Sequence, residues 1–296
     1  MERQATIRRN VSIEGIGLHS GQPVQLTLHP AGADTGIIFK ASDGTLIPAN
    51  ADHVVDSHFA TTVGAFGVRV RTIEHLMAAA AALGIGNLIA EVDAEELPAL
   101  DGSAAPFVDL LLEAGKVVLP VPCPPIAIAG RIRVGDESRW LEALPADDFR
   151  ISYTLDNAHP MIGVQVASLA ITEKSFIDDL AAARTYGFLK DVPLMRKQGL
   201  ALGGSLDNAV VVGKRTVLNG SLRFADEFVR HKVLDLVGDL FLLGRPLRAH
   251  IVARNAGHAL NSDLVAAIEH DLRRRRPAAR PPLRVLAGTA NGMAAH

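Results

Sequence analysis

Val118 to Gly130 reads VLPVPCPPIAIAG, and it divides the chain. Pro120, Pro122, Pro124 and Pro125 fall within six residues. Each fixes φ and lacks an N–H donor, so no regular helix runs through them. The stretch predicts a linker over 121–127, between a first domain at 1–120 and a second at 128–272. On the N-terminal side, short β-like runs such as VQLTLHP (24–30) and GIIFKA (36–41) alternate with Gly, Pro and Asp turns. VRVRTIEHLMAAAAALGI (68–85) then passes from strand into helix, and NLIAEVD (87–93) is another strand. DGSAAPFVDLLLEAG (101–115) has Ser103 as a helix N-cap and Gly115 as a stop.

The C-terminal side repeats this grammar. IAIAGRIRV (126–134), WLEALPA (140–146), FRISYTLD (149–156) and NAVVVG (208–213) read as strands; SFIDDLAAARTYGF (175–188) reads as a helix running into a turn, and RHKVLDLVGDLFLLG (230–244) as a helix. Strands and helices mix without a strict βαβ rhythm, which predicts an α+β fold. EHLMAAAAALGI and RHKVLDLVGDLFLLG each open near a His and continue as an apolar helix, a faint echo between the two halves.

The 296 residues, 48% of them hydrophobic, suffice for two cores. A formal net charge of −2 excludes a general attraction to nucleic acid or anionic membrane. Cys123 is the sole cysteine, which excludes an intrachain disulfide and a thiolate metal cluster and leaves nitrogen and oxygen donors for any metal. The opening MERQATIRRN lacks the apolar core of a signal peptide, and the mainly apolar run Leu76–Ala90 is interrupted and too short to span a bilayer. A cytoplasmic protein is expected. The Arg, Pro and Ala rich segment 273–296 is expected to be a disordered, solvated tail.

The polar residues of the second helix need a reason. His231, Asp235 and Asp239 stand four apart, one row at the edge of the apolar face. His231 and Asp235 suit two ligands of a zinc ion, although the same spacing serves a plain side-chain hydrogen bond. Glu74 beside His75 suits a general base next to a ligand, or an acidic residue in a first helical turn beside a core histidine. His258 in RNAGHALNSDL reads as a loop histidine, either a general acid that Asp239 orients or a surface residue. Thr185 can donate to a developing oxyanion or cap a helix, and Tyr186 and Phe188 can support a sugar or fill core. Gly203, Gly204 and Ser205 match no nucleotide-binding fingerprint.

Taken in order, GIGLHSG, TIEHLMAA, DGSAAPF, ARTYGF, LGGSLDNAVV and RFADEFVRHKVLDLVGDL followed by GHALN closely resemble the UDP-3-O-acyl-N-acetylglucosamine deacetylase family over about residues 4 to 270. The resemblance implies two similar sheet-plus-helices domains packed as a sandwich, with the active site between them. It implies a zinc amidase, with Fe²⁺ as an alternative metal, that removes the acetyl group in the committed step of lipid A synthesis. By it, His75, His231 and Asp235 hold the metal, Glu74 is general base, Thr185 donates to the carbonyl oxygen, and His258 is acid or electrostatic partner oriented by Asp239. Lys232 meets the diphosphate, and Tyr186 packs near the glucosamine. An insert at 188–211 forms an acyl passage with Phe188, Leu189, Val192, Ala201, Leu206 and Val211. Ala60 stands where some members carry a cysteine near the metal, Tyr186 where others have Phe, and Asn157 where some relatives have a uridine-stacking aromatic. The expected partner is the acylated UDP-sugar, met by a monomer with at most transient contact with a membrane surface and no nucleic acid. Two other readings stand beside this one: a non-catalytic nucleotide or nucleic-acid binding module, and a zinc amidase with a different substrate.

Overall fold

The computed structural model describes residues 2–275. In chain order the first half runs β1 (Arg3–Ile7), β2 (Val11–Ile16), β3 (Pro23–Pro30), β4 (Ile37–Lys40), β5 (Leu46–Pro48), β6 (Val54–Asp56), β7 (Thr62–Ala65), β8 (Val68–Val70), α1 (Glu74–Ala82), β9 (Leu88–Val92) and α2 (Ala105–Ala114). Then follow β10 (Lys116–Pro122), β11 (Ile126–Ala127), β12 (Ile132–Gly135), β13 (Trp140–Leu144), β14 (Phe149–Asn157), β15 (Gly163–Ala170), α3 (Glu173–Asp179), β16 (Tyr186–Phe188), α4 (Val192–Lys197), β17 (Val210–Val212), α5 (Glu227–Leu240), β18 (Leu247–Arg254) and α6 (His258–Arg275). The fold is α+β, as the mixed grammar predicts.

The two halves share one sheet design. In the first, the order is β2-β3-β9-β4-β5: two hairpins, with β9 inserted antiparallel to β3 and parallel to β4. In the second it is β12-β13-β18-β14-β15, with β18 inserted antiparallel to β13 and parallel to β14. A helix precedes each inserted strand (α1, α5) and another follows it (α2, α6). The faint echo in sequence is thus a repeat of topology. Strands β3 and β18 reach the core by simple alternation: Val24, Leu26 and Leu28 of β3 are buried, as are Leu247, Ala249, Ile251 and Ala253 of β18.

The proline-rich stretch is more ordered than expected. Residues through Pro122 belong to β10, which pairs antiparallel with β1, and Ile126 and Ala127 pair parallel with β18. Pro120 and Pro122 are two apart, so their missing donors fall on one edge of a two-stranded ribbon, where proline is tolerated. The irregular link shrinks to 123–125. At the other end, α6 continues through Arg275, past the expected start of the tail at 273, because Arg273 and Arg275 pair with Glu269 and Asp271 one turn back. The rest of the expected tail, 276–296, lies outside the described residues. Among the described residues, no helix is long and apolar enough to cross a membrane.

Helices α1 and α5 pack directly on each other, and α5 also rests on β14 and β15. Leu76, Met77, Ala78, Ala79 and Ala80 are all buried, so α1 is apolar nearly all round, as a helix enclosed on every side must be. Gly238 sets the spacing at the crossing. A Cβ there would lie 2.0 Å from the Glu74 carbonyl oxygen. That close approach brings the start of α1 against the polar row of α5.

Candidate active site

The row expected at the edge of an apolar face is fully interior: His231, Asp235 and Asp239 are all at most 2% exposed. Opposite them, Glu74 and His75 at the first turn of α1 are buried too. The Asp235 Oδ1 atom sits 3.3 Å from His231 Nε2 and 3.6 Å from His75 Nε2. It is buried with no hydrogen-bond partner. A carboxylate oxygen left bare between two imidazole nitrogens is costly unless a cation completes it. The ligand atoms of His75, His231 and Asp235 lie within 4.8 Å of one another, a spacing that suits one metal ion.

The surrounding bonds prepare that donor set. His231 Nδ1–H donates to the Ala183 carbonyl at 3.1 Å, which fixes the tautomer and aims the Nε2 lone pair at Asp235. Burial pushes His231 down to about 3, so the ring is neutral and able to ligate. Burial opposes the charge on Asp235, yet the Lys232 ammonium, 2.7 Å from Oδ2, holds its carboxyl well below the usual range.

A second triplet, Glu74, Asp235 and His258, is similarly close. It suits proton transfer better than metal binding. Burial disfavours the His258 cation, but Asp239 and then Glu74 push it up to about 9, and a cationic ring has no lone pair to offer. Its Nδ1–H donates to Asp239 Oδ2 at 2.8 Å, while its Nε2 lies 3.9 Å from Glu74 Oε1. Glu74 is raised above the ordinary carboxyl value by burial, partly offset by His258 and His75. His258 is the first residue of α6, not a loop histidine, because the helix starts directly after Gly257.

Thr185 and Tyr186 are not at a helix end. Helix α3 stops at Asp179, and Thr185 leads into β16, its N–H donating to Gly102 and its carbonyl accepting from Val210. Arg184 ties this segment to α5 through a buried pair with Glu227, which also accepts the N–H groups of Arg184 and Arg223. Likewise Ala104, not Ser103, is the cap residue of α2, although the Ser103 hydroxyl does accept from the Ala105 N–H.

Two adjoining cavities share Leu18, His19, Phe59, Thr185 and Tyr186. One, about 620 Å³, holds Glu74, His75, His231, Lys232, Asp235 and His258 and extends to Arg139, Asn157 and Asn255. The other, about 310 Å³ and mostly apolar, is lined by Leu189, Val192, Ala201, Leu206 and Val211 from the unit formed by β16, α4 and β17. Phe188 is not in that lining; its ring turns to His159 and Lys190. Tyr186 packs edge-on to Phe228 and lies near Lys232. A larger cavity, about 900 Å³, lies at the far ends of α1 and α5 and contains none of these groups.

Sequence reasoning misses Thr61, Asn261 and Arg139. The first two bond to Asp239, and the third lines the polar cavity. Asn261 stands inside the quoted GHALN stretch, one turn from His258 on α6, whereas no local motif marks Thr61 or Arg139, which reach the site through tertiary structure.

Residues 4–270 match the family described as UDP-3-O-acyl N-acetylglycosamine deacetylase. Proteins named UDP-3-O-acyl-N-acetylglucosamine deacetylase are similar along nearly their whole length. The one from Psychrobacter cryohalolentis is 46% identical over 274 residues, 90% of this chain and 86% of its own. The one from Leptospira biflexa is 47% identical (89% and 88% covered), and the one from Myxococcus xanthus is 47% identical (90% and 87% covered). The chain therefore belongs to the UDP-3-O-acyl N-acetylglycosamine deacetylase family.

Proposed function

We propose that this enzyme hydrolyses the acetamide of UDP-3-O-acyl-N-acetylglucosamine to the free amine and acetate, with a divalent ion held by His75, His231 and Asp235. The bare, buried Asp235 Oδ1 between two imidazoles is the observation that carries this reading. Zn²⁺ suits such a set, and Fe²⁺ accepts the same ligands. When bound, the ion polarises the amide carbonyl and acidifies a water.

The chain's own residues handle the protons. Glu74, raised by burial and pointing toward the same pocket, takes the proton of the attacking water. Charge that builds on the former carbonyl oxygen meets the Thr185 hydroxyl and the His258 cation. Asp239 keeps that cation in place by accepting its Nδ1–H. The leaving nitrogen takes its proton from Glu74 or His258, the two acids in reach. Lys232, one-fifth exposed and facing the polar cavity, meets the diphosphate, and Tyr186 lies beside the sugar. The acyl chain enters the apolar cavity. On this reading the protein works as a cytoplasmic monomer in lipid A synthesis, meets the membrane at most transiently, and has no nucleic-acid partner.

The experiment is turnover of acylated against unacylated UDP-N-acetylglucosamine. Strong preference for the acylated compound supports the assignment. Equal turnover would favour an amidase with a different natural substrate.

A further inference from the structure

One residue with no role assigned above touches both arms of the proton-handling machinery. Thr61, just before β7, is 1% exposed. Its backbone N–H donates to Glu74 Oε2 at 3.0 Å, and its hydroxyl donates to Asp239 Oδ1 at 2.5 Å. The hydroxyl oxygen is also 3.3 Å from His258 Nδ1. Thr61 and Glu74 come from the first half of the chain, whereas Asp239 on α5 and His258 on α6 come from the second.

The donor count gives the hydroxyl its importance. Asp239 is an acceptor, and two of its three donors, His258 Nδ1–H and Asn261 Nδ2–H, both act on Oδ2. Thr61 supplies the bond to Oδ1. Without it, one oxygen of a buried carboxylate is left bare and the carboxylate plane is no longer fixed from both sides. The plane of that carboxylate sets the direction in which the His258 ring points. The same residue holds Glu74 by its main chain, so base and acid are referred to one atom group.

We infer that Thr61 is a positioning residue, a clasp across the joint between the two halves that sets the Asp239–His258 arm relative to Glu74. The inference rests on the deacetylase reading above.

The test compares metal-loaded wild type, Thr61→Val, Thr61→Ser, Asp239→Asn and the double variant Thr61→Val/Asp239→Asn. Valine keeps the branched shape and the backbone N–H and removes only the hydroxyl. Its kcat should fall by ~10²-fold, the scale of a misdirected general acid. Its KM should stay within ~3-fold of wild type, with unchanged metal per chain. Serine, which keeps the hydroxyl, should remain within ~3-fold of wild-type kcat, and the double variant should be no slower than Asp239→Asn alone, since both act through one carboxylate. Wild-type kcat in Thr61→Val, a Thr61→Ser as slow as valine, or two effects that multiply in the double variant would each overturn the inference. Should valine fail to fold, Thr61→Ala replaces it in the same comparison. A metal-loaded wild type without deacetylase activity would overturn the functional reading itself, whereas an active wild type with an indifferent Thr61 overturns only the clasp.

Discussion

Replacing Gly238 by alanine should weaken both the protein and its catalysis, although helix propensity alone predicts the reverse. In a helix interior, Gly to Ala gains about 1 kcal/mol. Here the new Cβ would lie 2.0 Å from the Glu74 carbonyl oxygen, 2.9 Å from its carbonyl carbon and 3.1 Å from Ala78 N. Non-bonded heavy atoms settle at about 3.5 Å, so α1 and α5 must part by roughly 1–1.5 Å. The atoms in the way are backbone, which cannot swing aside as a side chain can. Overpacking of this kind costs about 1–3 kcal/mol, which offsets the propensity gain and leaves a net loss of up to about 2 kcal/mol. The catalytic effect should be larger in proportion, because the displaced turn carries Glu74 and His75. A shift of about 1 Å at reacting groups costs on the order of 10²-fold in rate. Thermal unfolding and kcat/KM of Gly238→Ala measure the two effects together. A variant that melts at or above wild type and turns over at the wild-type rate would refute the close-approach reasoning.

Three other outcomes follow from the same site. Glu74→Gln should keep its metal and its KM but lose ~10²–10⁴-fold in kcat, read by elemental analysis beside steady-state kinetics; loss of metal would place Glu74 among the ligands. Asp239 is the chief group pushing His258 up to about 9 against the downward effect of burial. If cationic His258 is required, activity falls as pH rises through its pKa, so Asp239→Asn should move the alkaline limb of kcat/KM to lower pH; an unmoved limb would assign it to another group. Val211→Trp sets an indole into the wall of the cavity of about 310 Å³ and narrows it, and kcat/KM should drop ~10-fold or more on a long-chain substrate with little change on a short-chain analogue. Equal losses on both would mean that the cavity does not hold the acyl chain.

The chemistry of α5 is legible in sequence because a helix puts residues four apart on one line, and His231, Asp235 and Asp239 need only that rule. Their burial is not legible, since the second wall comes from α1, whose His75 stands 156 positions before His231; what encloses them is tertiary. The α+β class follows from the mixed strand and helix periods, but the sheet order does not. Leu247–Arg254 is the central strand of the second sheet and is passed over in the sequence reading, although Arg248 and His250 alternate with Leu247, Ala249 and Ile251 as the residues of a half-buried strand do; its central place comes from pairing with β13 and β14, which no local pattern shows. Gly163–Ala170 is missed in the same way, as a strand with a largely exposed face. The AAAR segment has the composition of a helix, yet the bonds of Ala181 to Ala104 and of Arg184 to Glu227 draw it out toward β16. Thr61 has no local signature at all: its partner Asp239 is 178 residues away.

The most direct measurement is metal content per chain of gently purified wild type and His231→Ala, with deacetylation of acylated UDP-N-acetylglucosamine followed through chelation and metal return. The geometry around Asp235 Oδ1 predicts about one zinc or iron per wild-type chain, activity that chelation abolishes and limited metal restores, and neither metal nor activity in His231→Ala. Wild-type metal content in His231→Ala, or full turnover by the metal-free enzyme, would contradict it.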